Sequence, residues 1–499
     1  MEDDQNINSN INPKFSSKMK YDFETLTFDD VLLVPAESNV IPSEVLVNTS
    51  LTRSIGLGIP VVTAPMDTVT ESGMAIAIAS EGGMGFIHRN LQIENQAAEV
   101  ERVKKWESYI VRDPLCISPN DNVAKVKALV QEKGFSSFPV VDNAGKVVGI
   151  VTNRDLRFCD NGNELVKEIM GKKVITANEG ISLTEAKAVL REHKIEKLII
   201  TDKEKKIKGL VTFSDIEKSV KYPNASRDRE GSLRVGAAIG PDDMERAKAL
   251  VDAGADAILI DTAHGHSIHV INGVKNLRKE FGDDVQVIAG NIATPEAAEA
   301  LISAGADALR VGCGPGSICT TRIVSGVGLP QLTAIQLCSE AAKDHGINVI
   351  ADGGIRGSGD VAKALAAGAS CVMAGNIFAG CEESPSKTVF VEGRKYKGYR
   401  GMGSASAMAA GGASRYFQSS KQKKFVPEGV EGLVPYRGTV AEVVFQLVGG
   451  LKSAMGYCGA KNVKDMNEKA KFVRISKSSL KESYPHDVFV TDETPFYHK

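Results

Sequence analysis

The sequence lacks several features that would direct its interpretation elsewhere. It has no apolar run of the ~18 residues that a membrane-spanning helix needs. Its 60 Lys and Arg residues nearly cancel its 62 Asp and Glu residues, so no overall charge favours a membrane or nucleic-acid partner. Its eight cysteines are scattered without a CxxC pair, which argues against a zinc site or a disulfide framework. This cysteine usage is typical of a reducing compartment, so we expect a cytoplasmic protein.

The N-terminal segment also lacks what a targeting signal needs. Residues 1–18 are polar, begin with acidic residues and contain no apolar stretch. A secretory signal requires such a stretch, so none is expected. We interpret residues 1–18 as a disordered tail.

The part of the chain after about residue 230 has a regular alternation of short apolar strands and Ala-rich helices. Phrases such as DAGADAI, SAGADAL and AAGASCV predict a left-handed glycine cap between each helix and the next strand. Continuous apolar strands that alternate with helices are typical of a parallel sheet. The strand candidates are 60–67, 82–88, 234–240, 257–265, 285–291, 308–314, 348–354 and 371–377. Eight strands predict an α/β fold, a closed (β/α)₈ TIM barrel, built from residues 19–110 and 223–499.

Residues 111–222 interrupt the barrel and contain an internal repeat. GIVTNRDL at 149–156 matches GLVTFSDI at 209–216, and each is preceded by a similar apolar hairpin and helix. Each half, about 112–165 and 166–222, is too small to bury a good core alone, so we expect the halves to pack as a pair. A purely structural insert is the alternative interpretation.

Glycines and an acidic residue follow the last two predicted barrel strands. Loops after strands seven and eight commonly bind phosphate in barrels, and here they contain Gly353, Gly354 and Gly375. Glycines let backbone amides approach phosphate oxygens closely. Asp352 would repel phosphate but accept hydrogen bonds from ribose hydroxyls. The combination predicts a nucleoside monophosphate site, although a single glycine pair usually marks only a tight turn.

The segment GCGPGSICTTR at 312–322 places a cysteine in a loop rich in glycine. Ser317 can add a hydroxyl to the phosphate site, and Cys319 lies just beyond it. A thiolate is a strong nucleophile, and a basic neighbour such as Arg322 would lower its pKa. The loop carbonyls are also suitable ligands for a hard cation. The alternative is a buried structural cysteine, which we prefer for the other seven.

A long segment with little periodicity lies near the C-terminal end of the predicted barrel. Residues 404–432 are rich in Gly, Ala and Ser and include Arg415 and Tyr416. Long loops of this kind in compact domains are commonly lids. We therefore predict a mobile flap over about 404–435.

Several motifs together resemble the inosine-5'-monophosphate dehydrogenase family along nearly the whole chain after the tail. They are APMDTVTE (64–71), IDTAHGHS (260–267), GPGSICTTR (314–322), IADGGIR (350–356), YRGMGS (399–404), RYFQ (415–418) and VPEGVEG (426–432). The inserted repeat resembles a tandem of CBS domains, which often bind adenine nucleotides, so the resemblance implies ATP or GTP as a ligand of this pair. That resemblance places ribose contacts at Asp155 and Asp215.

The resemblance implies an NAD-dependent oxidoreductase that converts IMP to XMP, the first committed step of guanine nucleotide synthesis. Cys319 would attack the purine, with Arg415 as the base that activates water and Thr321 as a helper or an alternative base. Tyr416 would share the proton transfer with Arg415. The implied substrate-binding residues are Ser317, Asp352, Gly353, Gly354, Gly375, Asn376, Tyr399, Arg400, Gly401, Met402, Gly403 and Glu428. The implied dinucleotide-binding residues are Asp261, Asn291, Arg310, Gly312, Cys313 and Gly314.

The family also uses a monovalent cation, usually K⁺, and a homotetramer. The matching ligands are the carbonyls of Gly314, Gly316 and Cys319, with Glu482, Ser483 and Tyr484 from a neighbouring subunit. The familiar pattern here is ESHVHD, whereas this chain has ESYPHD at 482–487. Pro485 restricts the backbone of Tyr484, so we expect an altered ion affinity.

Two alternative functions remain. GMP reductase shares the barrel and the nucleophilic cysteine but releases ammonia and needs no water-activating flap. A catalytically silent nucleotide sensor would act through the CBS pair alone. The flap, the VPEGVEG segment and the inserted pair favour the dehydrogenase, and the combination of Cys319, Thr321 and Arg415 argues against the sensor.

Overall fold

The chain forms two compact units. The computed structural model describes residues 24–106, 111–112, 114–133, 137–159, 162–181, 183–213, 222–418 and 424–488. The predicted tail at 1–18 and Asp215 lie outside the described residues, as do residues 419–423 of the predicted flap. The first unit comprises Met1–Lys104, Asn224–Ser226 and Leu233–Lys499, and the second comprises Lys105–Pro223 and Arg227–Ser232.

The first unit is built on a closed barrel of eight parallel strands. Each strand pairs with the next one along the chain, and the eighth pairs with the first. The predicted (β/α)₈ barrel is therefore confirmed. Its strands are β1 (Val61–Thr63), β2 (Met84–Ile87), β3 (Val235–Ile239), β4 (Ala257–Asp261), β5 (Gln286–Ile292), β6 (Ala308–Val311), β7 (Asn348–Asp352) and β8 (Cys371–Ala374).

Eight helices follow these strands. They are α1 (Ser72–Ser80), α2 (Ile93–Lys105), α3 (Met244–Asp252), α4 (Ile268–Phe281), α5 (Pro295–Ala304), α6 (Gln331–Lys343), α7 (Ser358–Ala366) and α8 (Val440–Tyr457). Helix α5 shows why the sequence specifies them. Thr294 caps its first turn, and Pro295 occupies the first helical position, where no N–H is needed. Gly305 ends it with φ of +102°, which confirms the predicted left-handed cap.

The barrel interior is filled by apolar side chains from alternate strand positions. Val62, Phe86 and Leu259 belong to this cluster and are fully buried. A Cβ at Gly236 would lie 2.3 Å from the ring of Phe86, so glycine there makes room for the ring. The hairpin of Thr49–Ser50 and Gly56–Leu57 covers the N-terminal end of the barrel, which leaves the C-terminal end as the accessible one.

The first unit has additional elements around the barrel. A short strand near its start, Val31–Leu33, pairs with Phe472–Arg474 near its end. A three-stranded antiparallel sheet lies beyond β8, formed by Thr388–Val391, Arg394–Arg400 and Glu431–Pro435. The remaining helices are Phe28–Asp30, Pro42–Glu44, Thr321–Val324, Asn376–Ala379, Ala405–Ala409, Gly412–Tyr416, Val463–Lys469 and Lys477–Glu482.

The second unit consists of two similar halves, 60 residues apart. Its helices are Val123–Lys133, Asn153–Arg157, Val166–Ile169 and Leu183–His193, and its strands are Val111–Arg112, Ser137–Val141, Val147–Thr152, Thr176–Asn178, Lys197–Thr201 and Ile207–Thr212. Each half has its own hydrophobic core.

The two halves of the second unit exchange their first segments. Val111 pairs with Leu210 of the second hairpin, and Gly171, 60 residues after Val111, bridges to Ile150 of the first hairpin. Each half thus completes the sheet of the other. The assignment to tandem CBS domains stays a prediction. In the part of the chain that the structure describes, no helix combines the length and apolarity needed to cross a membrane.

Candidate active site

A cavity opens at the C-terminal ends of the barrel strands, where the barrel architecture predicts a site. Most of the predicted site residues line it together. These are Asn291, Arg310, Gly312, Gly314, Gly316, Ser317, Cys319, Thr321, Asp352, Gly353, Gly354, Gly375, Asn376, Tyr399, Gly401, Met402, Arg415, Tyr416 and Glu428. The cavity therefore collects residues from β5 to β8, from the three-stranded sheet and from the predicted flap.

One end of the cavity, here called the phosphate end, is built mainly from glycines and neutral side chains of the loops after β6, β7 and β8; Arg356, which is paired with Asp29 and Asp360, also lines the cavity. Gly353 has φ of +91°, and a Cβ there would lie 2.8 Å from Pro315. Asn376 donates its Nδ2 to Ser317 Oγ at 3.2 Å. Burial raises the pKa of the Tyr399 phenol, which keeps its hydroxyl a donor at neutral pH. This end offers hydrogen-bond donors without a carboxylate, as an anion site requires.

Asp352 stands at the end of β7, between the phosphate end and the opposite side. Its Oδ2 accepts hydrogen bonds from Asn291 Nδ2 at 2.7 Å and from Arg310 Nη2 at 2.8 Å. Among the described residues, none donates a hydrogen bond to its Oδ1. The carboxylate is therefore held in one orientation with an acceptor to spare, which suits a ribose hydroxyl.

Cys319 lies on the cavity wall with a hydroxyl beside its thiol. Its Sγ is 3.2 Å from Thr321 Oγ1. Arg322 does not pair with this thiol as its position in the sequence suggested. It donates instead to the carbonyls of Cys313 and Leu329, at 2.9 and 2.6 Å. Arg322 thus fixes the loop, and the hydroxyl of Thr321 is the hydrogen-bond partner of the Cys319 thiol.

The cysteine loop is also held from the side of the flap. Val430 donates its N–H to the carbonyl of Ile318 at 3.0 Å, and Thr320 donates to the carbonyl of Glu428 at 2.9 Å. Cys319 and Gly429 form an isolated antiparallel bridge. The far end of the flap therefore binds the backbone on which the nucleophile is placed.

The opposite end of the cavity is charged. The Asp261 side chain, 1% exposed, forms ion pairs with Arg310 and Arg415. Burial would raise the pKa of Asp261, but the facing arginines hold it below its usual value. Burial would lower the pKa of Arg415, whereas Asp261 raises it above its usual value. Both members of the Asp261–Arg415 pair are therefore ionised.

Besides Asp261, the flap contacts residues outside the set predicted to bind the dinucleotide. Ala263 donates its N–H to the carbonyl of Arg415 at 3.0 Å, and Arg89 donates to Ser414 Oγ at 3.1 Å. Tyr416 follows Arg415 into the cavity, where burial raises its pKa to about 12. The arrangement brings Arg415 and Tyr416 to the same cavity as Cys319.

Some predicted residues lie outside the cavity wall. Arg400 forms an ion pair with Asp67 at 2.6 Å, and Gly403 packs behind the Tyr416 ring. Asp261 is covered by its arginines. Cys313 contributes its carbonyl to Arg322. The predicted second set of cation ligands, Glu482, Ser483 and Tyr484, is exposed at the end of Lys477–Glu482, away from this wall.

The predicted cation ligands in the cysteine loop are backbone carbonyls. The carbonyl of Gly316 accepts the N–H of Cys319 at 3.1 Å, which leaves it a second lone pair for an ion. Within the described ranges, the structure has no group of three or more His, Cys, Asp or Glu side chains that could hold a metal ion. Any ion at this site would therefore rely on carbonyl oxygens.

Sequence reasoning missed several residues that shape the site. Gln331 Nε2 donates to the carbonyls of Val311 and Asp352, at 3.0 and 3.1 Å, and so joins the ends of β6 and β7. Met66 lines the cavity beside Tyr399, whose hydroxyl donates to Met66 Sδ at 3.9 Å. Met66 follows β1 in the APMD motif, so its position at a strand end gave a signal. Gln331 and Arg89 gave none.

Comparisons with known proteins agree with this geometry. A family model described as "IMP dehydrogenase / GMP reductase domain" matches residues 25–486. The chain is 56% identical over 479 residues to the inosine-5'-monophosphate dehydrogenase of Aquifex aeolicus (strain VF5), over 95% of this chain and 98% of that protein. It is 51% identical over 483 residues to the enzyme of the same name from Bacillus subtilis (strain 168), over 96% and 99%.

A solved structure is also similar to this chain. It is GMP reductase from Trypanosoma brucei in complex with guanosine 5'-monophosphate. The TM-score is 0.80 at 43% identity, and the alignment covers 93% of this chain and 98% of that one.

Proposed function

The chain belongs to the IMP dehydrogenase / GMP reductase family, and from this we infer that it catalyses the NAD-dependent oxidation of IMP to XMP. Relatives that are 50–56% identical over nearly the whole chain are dehydrogenases of this kind. One structural observation carries the mechanism. Cys319 shares a cavity with a donor-rich phosphate end and with Arg415 and Tyr416 of the flap.

The chemistry we propose uses Cys319 as a nucleophile. Its thiolate adds to C2 of the hypoxanthine ring, and a C–S bond forms. The hydrogen on C2 leaves as hydride to NAD⁺, and the purine stays on the sulfur. Water then adds to C2, the C–S bond breaks, and one proton is released with XMP. A covalent intermediate divides one difficult step into two easier ones.

The phosphate end and Asp352 would hold the nucleotide through both steps. Ser317, Asn376 and Tyr399 supply neutral donors for the phosphate, and Oδ1 of Asp352 accepts a ribose hydroxyl. Glu428, whose carbonyl accepts the N–H of Thr320, would contact the base beside Cys319. A nucleotide held in this way would have its C2 near the sulfur of Cys319.

We propose that the dinucleotide and the flap bind at the charged end of the cavity one after the other. Asp261 and Arg310 are predicted to contact the dinucleotide, yet here Arg415 occupies Asp261. Both partners need the same carboxylate, so NADH must leave before the flap can take this position. The described arrangement thus corresponds to the closed state that follows the departure of NADH and precedes the activation of water.

The activation of water is assigned to Arg415, with Thr321 and Tyr416 as helpers. The ion pair with Asp261 works against a basic role, because it raises the pKa of Arg415 and so holds the proton there. We propose that Arg415 accepts a proton only as this contact loosens. Thr321, 3.2 Å from the sulfur, is placed to pass a proton between water and the base.

The implied cation and partners are also proposals. The carbonyls of Gly314, Gly316 and Cys319, with those of Glu482, Ser483 and Tyr484 from a second copy in a homotetramer, would hold K⁺ and order the cysteine loop. The inserted unit would bind ATP or GTP near Asp155. The Oδ2 atom of Asp155 accepts a hydrogen bond from Thr152 Oγ1 at 2.7 Å. We place the enzyme in the cytoplasm.

GMP reductase is the second candidate, because a solved reductase shares the fold at 43% identity. The inserted unit does not separate the two activities, contrary to our expectation. The alignment leaves 100 − 93 = 7% of this chain unmatched, too short a stretch for the insert of Lys105–Pro223. The flap residues Arg415 and Tyr416 in the cavity remain the structural argument for hydrolysis.

Absorbance at 340 nm tests the assignment directly. With IMP, NAD⁺ and K⁺ we expect NADH to form, and with GMP and NADPH we expect no consumption. NADPH consumption with GMP, without NADH from IMP, would move the assignment to the reductase. Silence in both assays, with ATP still bound, would favour the nucleotide sensor.

A further inference from the structure

A cation without a carboxylate partner lies behind the phosphate end. Arg437 follows the strand Glu431–Pro435, and its Nη2 donates to Asn376 Oδ1 at 3.3 Å. Its Nε and Nη1 are buried and have no hydrogen-bond partner among the described residues. Among the residues that the structure describes, no carboxylate forms an ion pair with Arg437. Arg437 is half-buried, and a partly buried charge of this kind is costly unless something neutralises it.

The backbone fixes Arg437 against the short helix Asn376–Ala379. The N–H of Arg437 donates to the carbonyl of Gly380 at 2.9 Å, just past the helix end. A Cβ at Gly380 would lie 3.1 Å from Cγ of Arg437, so the arginine stem packs closely there. The side chain therefore runs along the helix to its first residue, Asn376, and its position does not depend on a ligand.

This contact decides which way the Asn376 amide faces. A guanidinium can only donate, so Asn376 must present its Oδ1 to Arg437. The Nδ2 then faces Ser317, 3.2 Å away, on the cavity side. Asn376 is thereby a donor toward the phosphate end. Without Arg437 the amide could turn and present an oxygen lone pair to an anion.

We propose that Arg437 is a positioning residue that makes the phosphate end selective for a phosphate dianion. It fixes the Asn376 amide as a donor. Its guanidinium, which is hydrogen-bonded to Asn376, also supplies a positive charge that the bound phosphate would compensate. The proposal rests on the proposed function only in requiring that the ligand is a purine nucleoside 5'-monophosphate. IMP and GMP both meet that requirement.

Calorimetric binding of IMP and inosine to the full-length protein tests the proposal. Arg437→Met keeps the stem and removes the charge and the donor. We expect it to weaken IMP binding about 10- to 100-fold, the range for a charge-assisted hydrogen bond. Inosine has no phosphate, so its affinity should change by less than about twofold. Lys395→Met removes an exposed cation near Tyr436 and should leave both affinities unchanged.

Two results would overturn the proposal. Equal weakening of IMP and inosine by Arg437→Met would show a merely structural role, and unchanged IMP affinity would show no role. Arg437→Gln provides a second variant if the first does not fold, because glutamine can donate to Asn376 without carrying a charge. It should lose part of the preference for IMP over inosine, and a fully retained preference would exclude the charge effect. NADH formation by wild-type protein is read separately, so failure of the proposed function is seen independently.

Discussion

The two ends of the cavity differ in the chemical groups that form them. The phosphate end uses glycine backbone and neutral side chains such as Asn376 and Tyr399, fixed by contacts along the barrel loops. The charged end uses Asp261, Arg310 and Arg415, which are held by ion pairs. The first end has its donors in place before a ligand arrives. The second holds a carboxylate for which two partners compete.

This difference matches the demands of a two-step reaction. One nucleotide must stay bound from the first step to the last, so the loops that hold it gain from being preformed. The group that accepts hydride must leave before water enters, so its site must exchange occupants. An ion pair suits this exchange of occupants, because the Asp261 carboxylate, when Arg415 releases it, can accept hydrogen bonds from the dinucleotide instead.

The largest expected effect is the loss of the nucleophile between the two ends. Cys319→Ala should reduce NADH formation by at least ~10³-fold, because no covalent intermediate can form. IMP should still bind, since both ends of the cavity remain. Steady-state absorbance and calorimetry measure the two quantities. Cys116→Ser, in the second unit, is the control and should keep its activity; dehydrogenation by Cys319→Ala would exclude covalent catalysis.

A change at the charged end should separate the two chemical steps. Arg415→Ala removes the proposed base and should slow hydrolysis about 10²-fold, within the range for general-base catalysis. Hydride transfer precedes flap closure, so the stopped-flow NADH burst should keep its rate. The covalent adduct should then accumulate. A burst that slows as much as steady-state turnover would contradict the flap assignment.

A change at the phosphate end should affect nucleotide binding alone. Gly353→Ala forces a side chain onto φ of +91° and places Cβ 2.8 Å from Pro315. Strain of ~1–3 kcal/mol predicts a KM for IMP raised about 5- to 150-fold, with the KM for NAD⁺ unchanged. Gly359→Ala is the matched control, since it has open space and no positive φ. Equal rises in both KM values would show that the ends are not independent.

The last expected effect concerns pH. The Asp261 carboxylate raises the pKa of Arg415, and the pKa of Tyr416 is about 12, so both carry their protons at pH 7 to 9. If hydrolysis needs Arg415 deprotonated, decay of the preformed adduct should accelerate as pH rises, about tenfold per unit. Asp261→Asn lowers the pKa of Arg415 and should move this rise to lower pH. A flat profile in the wild-type protein would exclude Arg415 as the base.

The barrel was predictable because its signals are local. Each apolar strand and each cap such as Gly305 is specified by a few neighbouring residues, so all eight strands were placed. Seven of the eight strands are shorter than their predicted windows; β4, for example, ends at Asp261, and the residues Thr262–Gly265 belong to the following loop. The pairing of Val31–Leu33 with Phe472–Arg474 was not predicted, because these short segments lie far apart and carry no periodicity.

The site was predictable only in part, because sequence motifs report local structure and not the contacts between distant loops. The motifs placed Cys319, Asp352 and Gly353 in one cavity. They could not show that Arg310 joins Asp261 to Asp352, or that Arg437 faces Asn376, because these contacts depend on how distant loops meet. Arg322 illustrates the error that follows. It is near Cys319 in sequence, yet it binds loop carbonyls.

The most direct test of the central claim is to find the adduct on Cys319. The wild-type enzyme would be mixed with IMP, NAD⁺ and K⁺, quenched in acid within milliseconds, and measured by intact mass. Fragmentation of the tryptic peptide 311–322, which contains both Cys313 and Cys319, locates the modification. We predict one purine nucleotide per chain, on Cys319. NADH formation without any adduct on this cysteine would contradict the account.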